Sequence, residues 1–179
     1  YSDSVIDIAG SGYEPTGKFT MYGEPVDPLS DPDRELLLRI GFLNNDSHLQ
    51  RNGDSWVIFG DPTEGALTVL GAKAGLSEET KQTYPRVAEF PFDSTRKMMT
   101  TIHDGPEKGR VAYVKGAPEV ILERCISIME KGAVRPINEQ DREQFLFTMR
   151  GLASDALRVL AMSYKEVPAA EEYEMEEIE

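Results

Sequence analysis

Only one cysteine, Cys125, occurs in the chain, so an internal disulfide is excluded. That count fits a reducing compartment. Cys125 ends the apolar stretch V-I-L-E-R-C, where a small buried residue is a better reading than a reactive thiol. Histidine is nearly as scarce: His48 and His103 are the only two, and with no cysteine pattern beside them a zinc site has no support. No apolar run approaches the ~20 residues that a membrane span requires. The first residues do not read as a signal peptide. Basic side chains are outnumbered 19 to 32, for a net charge of −13. Nucleic acid and anionic membrane surfaces are therefore poor partners.

What is present suits one domain with a real core: 179 residues, 40% of them hydrophobic. We take 1–179 as a single domain, with 1–29 as a lead-in and 166–179 as an acidic tail or linker. The chain opens on Tyr1, which fits an excised domain or processed fragment. There are no internal repeats. The lead-in carries Val5, Ile6 and Ile8 as a strand, then many glycines and prolines. Gly12 to Lys18 matches G-x-x-x-x-G-K, but Phe19 stands where a P-loop needs Ser or Thr. A P-loop must also open a helix, and Phe19-Thr20-Met21-Tyr22 followed by Gly23 does not.

Ser30 or Asp31 can cap a helix with Pro32 in its first turn and Leu36, Leu37, Ile40 and Leu43 as its apolar stripe. Residues 44–54 read as a polar loop, and Trp56 to Phe59 as a short strand. Asp61, Pro62 and Glu64 form a capping-box pattern at the start of a helix that runs to Gly71 or Gly75. A second short helix starts near Ser77. Ala117-Pro118-Glu119 opens another helix, residues 127–137 suggest a hairpin turning at Lys131-Gly132, and Asn138 with Asp141 starts a further helix. Ala156 to Tyr164 reads as a strand, with Arg158 conspicuous on it. The tail from Glu166 is mostly acidic and reads as a solvated linker or frayed helix.

The organising stretch runs from Glu89 to Glu119. Lys97 to His103 and Arg110 to Lys115 read as two strands, with Asp104-Gly105-Pro106 and Lys108-Gly109 supplying turn chemistry. Phe92 lies between a proline and the polar run Asp93-Ser94-Thr95, a poor place for a core residue. Gly116 follows Lys115 at once and permits close approach to backbone. An aromatic ring, lysines from neighbouring segments and bare backbone are what a purine nucleotide needs.

F-D-S-T-R-K (Phe92–Lys97) and K-G-A-P-E (Lys115–Glu119) resemble the adenine-binding signatures of the nucleotide-binding domain of type II P-type cation-transporting ATPases. G-D-P-T-E-G-A-L (Gly60–Leu67) resembles that family's acidic helix-start motif, and D-A-L-R-V-L-A (Asp155–Ala161) its arginine-bearing strand. The wording is closest to calcium-pump-like members. The resemblance implies an α+β fold, a twisted and mainly antiparallel sheet flanked by helices. It implies an ATP site, with Mg²⁺ accompanying the nucleotide, lined by Glu64, Phe92, Lys97, Lys115, Gly116, Arg158 and Leu160. It also implies that the chain is a cytoplasmic domain of an integral membrane protein, without direct membrane insertion of its own, working with phosphorylation and actuator domains. The family's D-K-T-G motif, which holds its phosphorylated aspartate, does not occur here. The chain is thus expected to bind ATP or ADP without catalytic or metal residues of its own and to present the γ-phosphate to another domain.

Two roles have local alternatives. Glu64 can complete a capping box, or face the adenine amino group, or do both from one rigid helix start. Arg158 can stack at a sheet edge beside Asp155, or meet the polyphosphate, for which its bidentate fork is suited. Phe92 should stack on the base, and so small a pocket suggests affinity near the millimolar level, about −4 kcal/mol. Two other functions remain open: a stand-alone phosphatase or kinase, which lacks a visible nucleophile or carboxylate pair, and an acidic module for a basic protein.

Overall fold

The computed structural model describes residues 5–106 and 109–179, and the chain divides into two compact units, Tyr1–Gln82 and Thr83–Glu179. In the first unit, β1 (Ile6–Ile8), β2 (Phe19–Met21) and β3 (Glu24–Pro25) form an antiparallel meander. The Gly12–Lys18 segment thus leads into a strand, and no helix opens there. Asp31 caps α1 (Pro32–Leu43), its carboxylate accepting from the Asp33 and Arg34 amides at 3.1 Å each. The expected loop 44–54 is shorter than its polarity suggested. Residues 48–52 form β4 (His48–Asn52), which pairs with β5 (Ser55–Phe59) across Gly53-Asp54, with Gly53 at φ 59°. Polar side chains disguised that strand, because its neighbour supplies the pairing. α2 (Pro62–Lys73) then packs on α1, where Gly71 lets the Phe42 ring come close. α3 (Glu78–Thr83) follows.

The second unit is built on an antiparallel sheet of β6 (Arg86–Asp93), β7 (Met98–Asp104), β8 (Arg110–Gly116) and β11 (Ala161–Val167), in the order β11-β8-β7-β6. In the β7–β8 turn the Gly105 amide donates to the Gly109 carbonyl at 2.7 Å; Lys108, expected to shape this turn, lies outside the described residues. α4 (Pro118–Arg124), the hairpin of β9 (Ser127–Glu130) and β10 (Ala133–Pro136), and α5 (Glu139–Ser154) separate β8 from β11. That hairpin turns at Lys131-Gly132, both at positive φ. Asn138 and Asp141 form a reciprocal capping box on α5, and Arg135 grips Asp141 at 2.6 and 2.8 Å. The Arg135 bond and the Asn138 amide hold the Asp141 carboxyl at about 2. The architecture is mixed α+β, antiparallel sheets flanked by helices, as the sequence led us to expect.

Period-two alternation sorts the β7 side chains. Met98 joins Val114 and Ile121 in one buried cluster, and Ile102 joins Ala112, Val167 and Ile178 in another on the same face of the sheet. Two expectations need correction. The strand expected at 156–164 starts at Ala161, because α5 runs on to Ser154 and closes with a turn: Ala156 takes φ 57° and the Leu157 amide returns to the Leu152 carbonyl. The acidic tail is not a solvated linker either. Val167 and Ile178 are buried, Tyr173 packs on their cluster, and α6 (Met175–Ile178) delivers Glu179 to Arg96. A few spaced apolar anchors outweigh the surrounding acids.

On the opposite face His103 is almost wholly buried. Its Nδ1 meets the Tyr84 carbonyl at 2.9 Å and its Nε2 the Thr101 hydroxyl at 2.8 Å, while its ring lies 5.3 Å from that of Tyr113. Burial, aided by the Arg86 charge and opposed by the Tyr84 bond, pulls the imidazole down to about 4. A neutral ring that donates to Tyr84 and accepts from Thr101 satisfies both contacts. The unfolded chain therefore binds more protons between 6.5 and about 4. Stability from this group is full above pH 6.5 and is lost as pH falls towards 4, by on the order of 3 kcal/mol. In urea unfolding followed from pH 7 to 4, His103→Gln should flatten that part of the stability profile even where the variant is weaker at every pH.

Candidate functional site

The strands fix where the expected binding residues fall. One line of register crosses the sheet: Asp93 pairs with Met98, Met98 with Gly116, and Gly116 with Ala161. Phe92, Lys97, Lys115 and Leu160 are each one residue from that line, and Arg158 lies three residues before Ala161. Three inter-strand spacings amount to about 14 Å, so these segments gather at one end of the sheet, within nucleotide reach. The spread in sequence is from 92 to 160.

Phe92 lies in the last turn-ward residues of β6, within a register irregularity between Phe90 and Asp93, and the residue is 57% exposed. It is not a core residue. The chain then reverses tightly. The Asp93 carboxylate accepts from the Thr95 and Arg96 amides at 2.9 Å each, and the Lys97 amide closes on the Asp93 carbonyl at 2.6 Å. Those bonds, the Arg96 amide foremost, hold the Asp93 carboxyl below its ordinary range. Lys97 finishes the turn in the left-handed region, φ 54°. Its ammonium is half-exposed and 3.7 Å from the Glu119 carboxylate.

Gly116 has a structural reason of its own. A Cβ there would stand 2.6 Å from the Lys97 carbonyl oxygen and 2.7 Å from the Met98 Cβ. The next amide, Ala117, donates to the same Lys97 carbonyl at 3.0 Å. Glycine thus lets the F-D-S-T-R-K and K-G-A-P-E segments lie against each other. Lys115 is 6% exposed and shares its sheet face with Met99 and Met162, its cross-strand neighbours. Leu160 is half-buried where the chain enters β11. Arg158 is exposed in the connection before β11 and has no hydrogen-bond or ion-pair partner among the described residues. It therefore does not lie on the apolar strand that the sequence suggested.

Glu64 belongs to the first unit, in the first turn of α2. Asp61 caps that helix, accepting from the Thr63 amide at 2.8 Å and the Glu64 amide at 3.3 Å. The Glu64 carboxylate accepts from the Asp46 amide at 3.2 Å, and its carbonyl from Asn45 at 2.8 Å. It fastens the loop after α1. Sequence reasoning read the Asp93-Ser94-Thr95 turn but missed two residues of the sheet-end site: Glu119 as the counter-ion of Lys97, and Arg96, which grips Glu179 and the Pro91 carbonyl. Asp followed by Ser-Thr was a readable turn signal; a pairing between residues 83 positions apart had none.

Comparison with known proteins places the chain in a family. The family described as P-type ATPase, cytoplasmic domain N, matches residues 33–179. A calcium-transporting ATPase of Bacillus subtilis is 36% identical over 173 residues, 96% of this chain and 19% of that protein. A cation-transporting ATPase of Synechocystis is 40% identical over 168 residues, 90% of this chain and 18% of its own length. The bovine calcium-transporting ATPase type 2C member 1 is 32% identical over 163 residues, covering 88% of this chain and 16% of that protein. The chain spans less than a fifth of the length of these curated relatives. With the family matched over most of its residues, this chain belongs to the P-type ATPase cytoplasmic N domains.

Proposed function

We propose that the second unit binds ATP at the sheet end bounded by Phe92, Lys97, Lys115, Gly116, Arg158 and Leu160. The bound nucleotide is held for transfer of its γ-phosphate to an aspartate in another domain of a cation pump, calcium being the favoured ion. The observation that carries this reading is the register line through Asp93, Met98, Gly116 and Ala161, which gathers four distant segments around an exposed aromatic ring. Stacking of the adenine on Phe92 supplies about 1–3 kcal/mol. Lys97 and Lys115 add positive charge from adjacent strands, and Leu160 offers apolar surface to the base. Arg158, exposed and unpaired among the described residues, faces no internal competition for a phosphate.

The role is binding and orientation. On this reading Mg²⁺ arrives with the nucleotide. A sheet end open to solvent, on a chain of net charge −13, gives modest affinity. No helix among the described residues is long and apolar enough to cross a membrane. Anchorage and ion passage on this reading belong to the rest of the pump.

Titration of the chain with ATP, followed by calorimetry or by NMR, tests the assignment. Binding should saturate near the millimolar range, and Phe92→Ala should weaken it by about 10- to 100-fold, the loss of one base–aromatic stack. Unchanged ATP shifts in Phe92→Ala, or steady hydrolysis by the wild-type chain, would remove the basis of the reading. Arg158→Gln separates the two ends of the ligand. It should weaken ATP several-fold while leaving adenosine binding unaltered, and an equal loss for both ligands would withdraw Arg158 from the phosphates.

A further inference from the structure

The turn that carries Phe92 and Lys97 is held from outside as well as from within. Arg96 finds its partners within the chain itself. One guanidinium nitrogen, Nη2, donates to the Pro91 carbonyl at 2.6 Å. The other, Nη1, contacts both carboxylate oxygens of Glu179, the Oε2 contact being 2.5 Å. The Glu179 Oε1 also accepts from the Thr100 hydroxyl at 2.6 Å. Arg96 thus spans the residue before Phe92 and the end of the tail, while its own amide is bound by Asp93. The Glu179 side chain is only 7% exposed, so this charge is one that solvent replaces poorly.

The tail bearing Glu179 is fastened along its length. Arg110 donates to the Ala170 carbonyl at 2.5 Å and to the Tyr173 hydroxyl at 2.9 Å, Lys165 donates to the Glu177 carbonyl at 2.5 Å, and Ile178 is buried. Along β7 the order is instructive. Met98 belongs to the α4 cluster, Ile102 to the tail's cluster, and Thr100 between them receives Glu179. Glu179 therefore meets β7 two residues from Met98, the β7 member of the register line at the candidate nucleotide site.

We propose that Glu179 is a positioning residue for that site. Through Arg96 it holds the Asp93–Lys97 turn against the sheet, so that seating of the 168–179 strap sets how firmly Phe92 and Lys97 are presented to a nucleotide. This rests on the ATP-binding reading above for its consequence, and on the Arg96–Glu179–Thr100 contacts for its mechanism. Glu179 touches no ligand; it acts by restricting the motion of groups that do. A ring ordered before binding loses less freedom on stacking, which is why the fastening raises affinity.

The experiment compares wild type, Glu179→Gln, Phe92→Ala and Asp141→Asn in the full 179-residue chain. Asp141→Asn serves as a control that lowers stability through the Arg135 contact, away from the turn. Amide hydrogen exchange at Thr95, Arg96 and Lys97, measured without nucleotide, should accelerate at least tenfold in Glu179→Gln and stay at the wild-type rate in Asp141→Asn. The ATP dissociation constant should rise several-fold in Glu179→Gln and remain unchanged in Asp141→Asn. Wild-type exchange in Glu179→Gln overturns the proposal, as does an equal loss of affinity in both variants, which would mark a general stability effect. Accelerated exchange with unaltered ATP affinity also overturns it, provided Phe92→Ala weakens binding. Failure of wild type to bind ATP, or of Phe92→Ala to weaken binding, refutes the nucleotide reading; the exchange rates still decide whether Glu179 holds the turn.

Discussion

Antiparallel register is the constraint on which the second unit depends. Asp93, Met98, Gly116 and Ala161 are spread over 69 residues of chain, counting both ends, yet hydrogen bonding leaves them side by side. A slip of one residue in any pairing would reverse the side chains facing each side of the sheet. Met98 and Ile102 would leave their buried clusters, so the core that stabilises the sheet also enforces the alignment of its end. Gly116 tightens the tolerance further, because only a residue without Cβ fits between the Lys97 carbonyl and Met98.

The residues at that sheet end answer to two demands at once. Lys115 is almost wholly buried beside Met99 and Met162, whereas Phe92 is left largely to solvent at a cost in apolar exposure. Nothing in the stability of the sheet asks for that exposure. Asp93 spends its carboxylate on two amides, and Arg96 spends its guanidinium on Pro91 and Glu179. A turn held by so many local bonds can keep a non-glycine residue, Lys97, in the left-handed region, a conformation few side chains adopt unaided.

How much of this was legible in the sequence follows from the range of each interaction. Local chemistry read well: Asp31 and Pro32 at one helix start, Asn138 with Asp141 at another, and Lys131-Gly132 in a hairpin all act within four residues. β4 was hidden because His48 to Asn52 has few strand-forming residues and is held by its pairing with β5. The start of β11 was misjudged because Leu157 and Val159 alternate like a strand, while the closing turn of α5 claims Ala156 and Leu157. The tail was misjudged because its composition is acidic, whereas its placement is decided by Val167, Tyr173 and Ile178. For the candidate site, Phe92, Lys97, Lys115 and Arg158 stood out through motif likeness, but their gathering depends on strand pairing that no local pattern reveals.

Charge explains why the cations at this sheet end differ in what they can give a ligand. Arg96 is held by Glu179 and Pro91, and Lys97 is drawn towards Glu119 at 3.7 Å, a half-exposed pair that water and salt weaken readily. If a polyphosphate binds here as proposed, it would compete for Lys97 at small cost but not for Arg96, whose partner carboxylate is only 7% exposed. Arg158, without a hydrogen-bond or ion-pair partner among the described residues, would need no such exchange. In a chain with 32 acidic and 19 basic residues, long-range attraction of an anion is unfavourable, and any affinity must come from short-range contacts at the register line. On the proposed reading such a site depends on close placement of a few groups, and the sheet pairing, the Asp93 turn and the Arg96–Glu179 contact are the elements that would hold them.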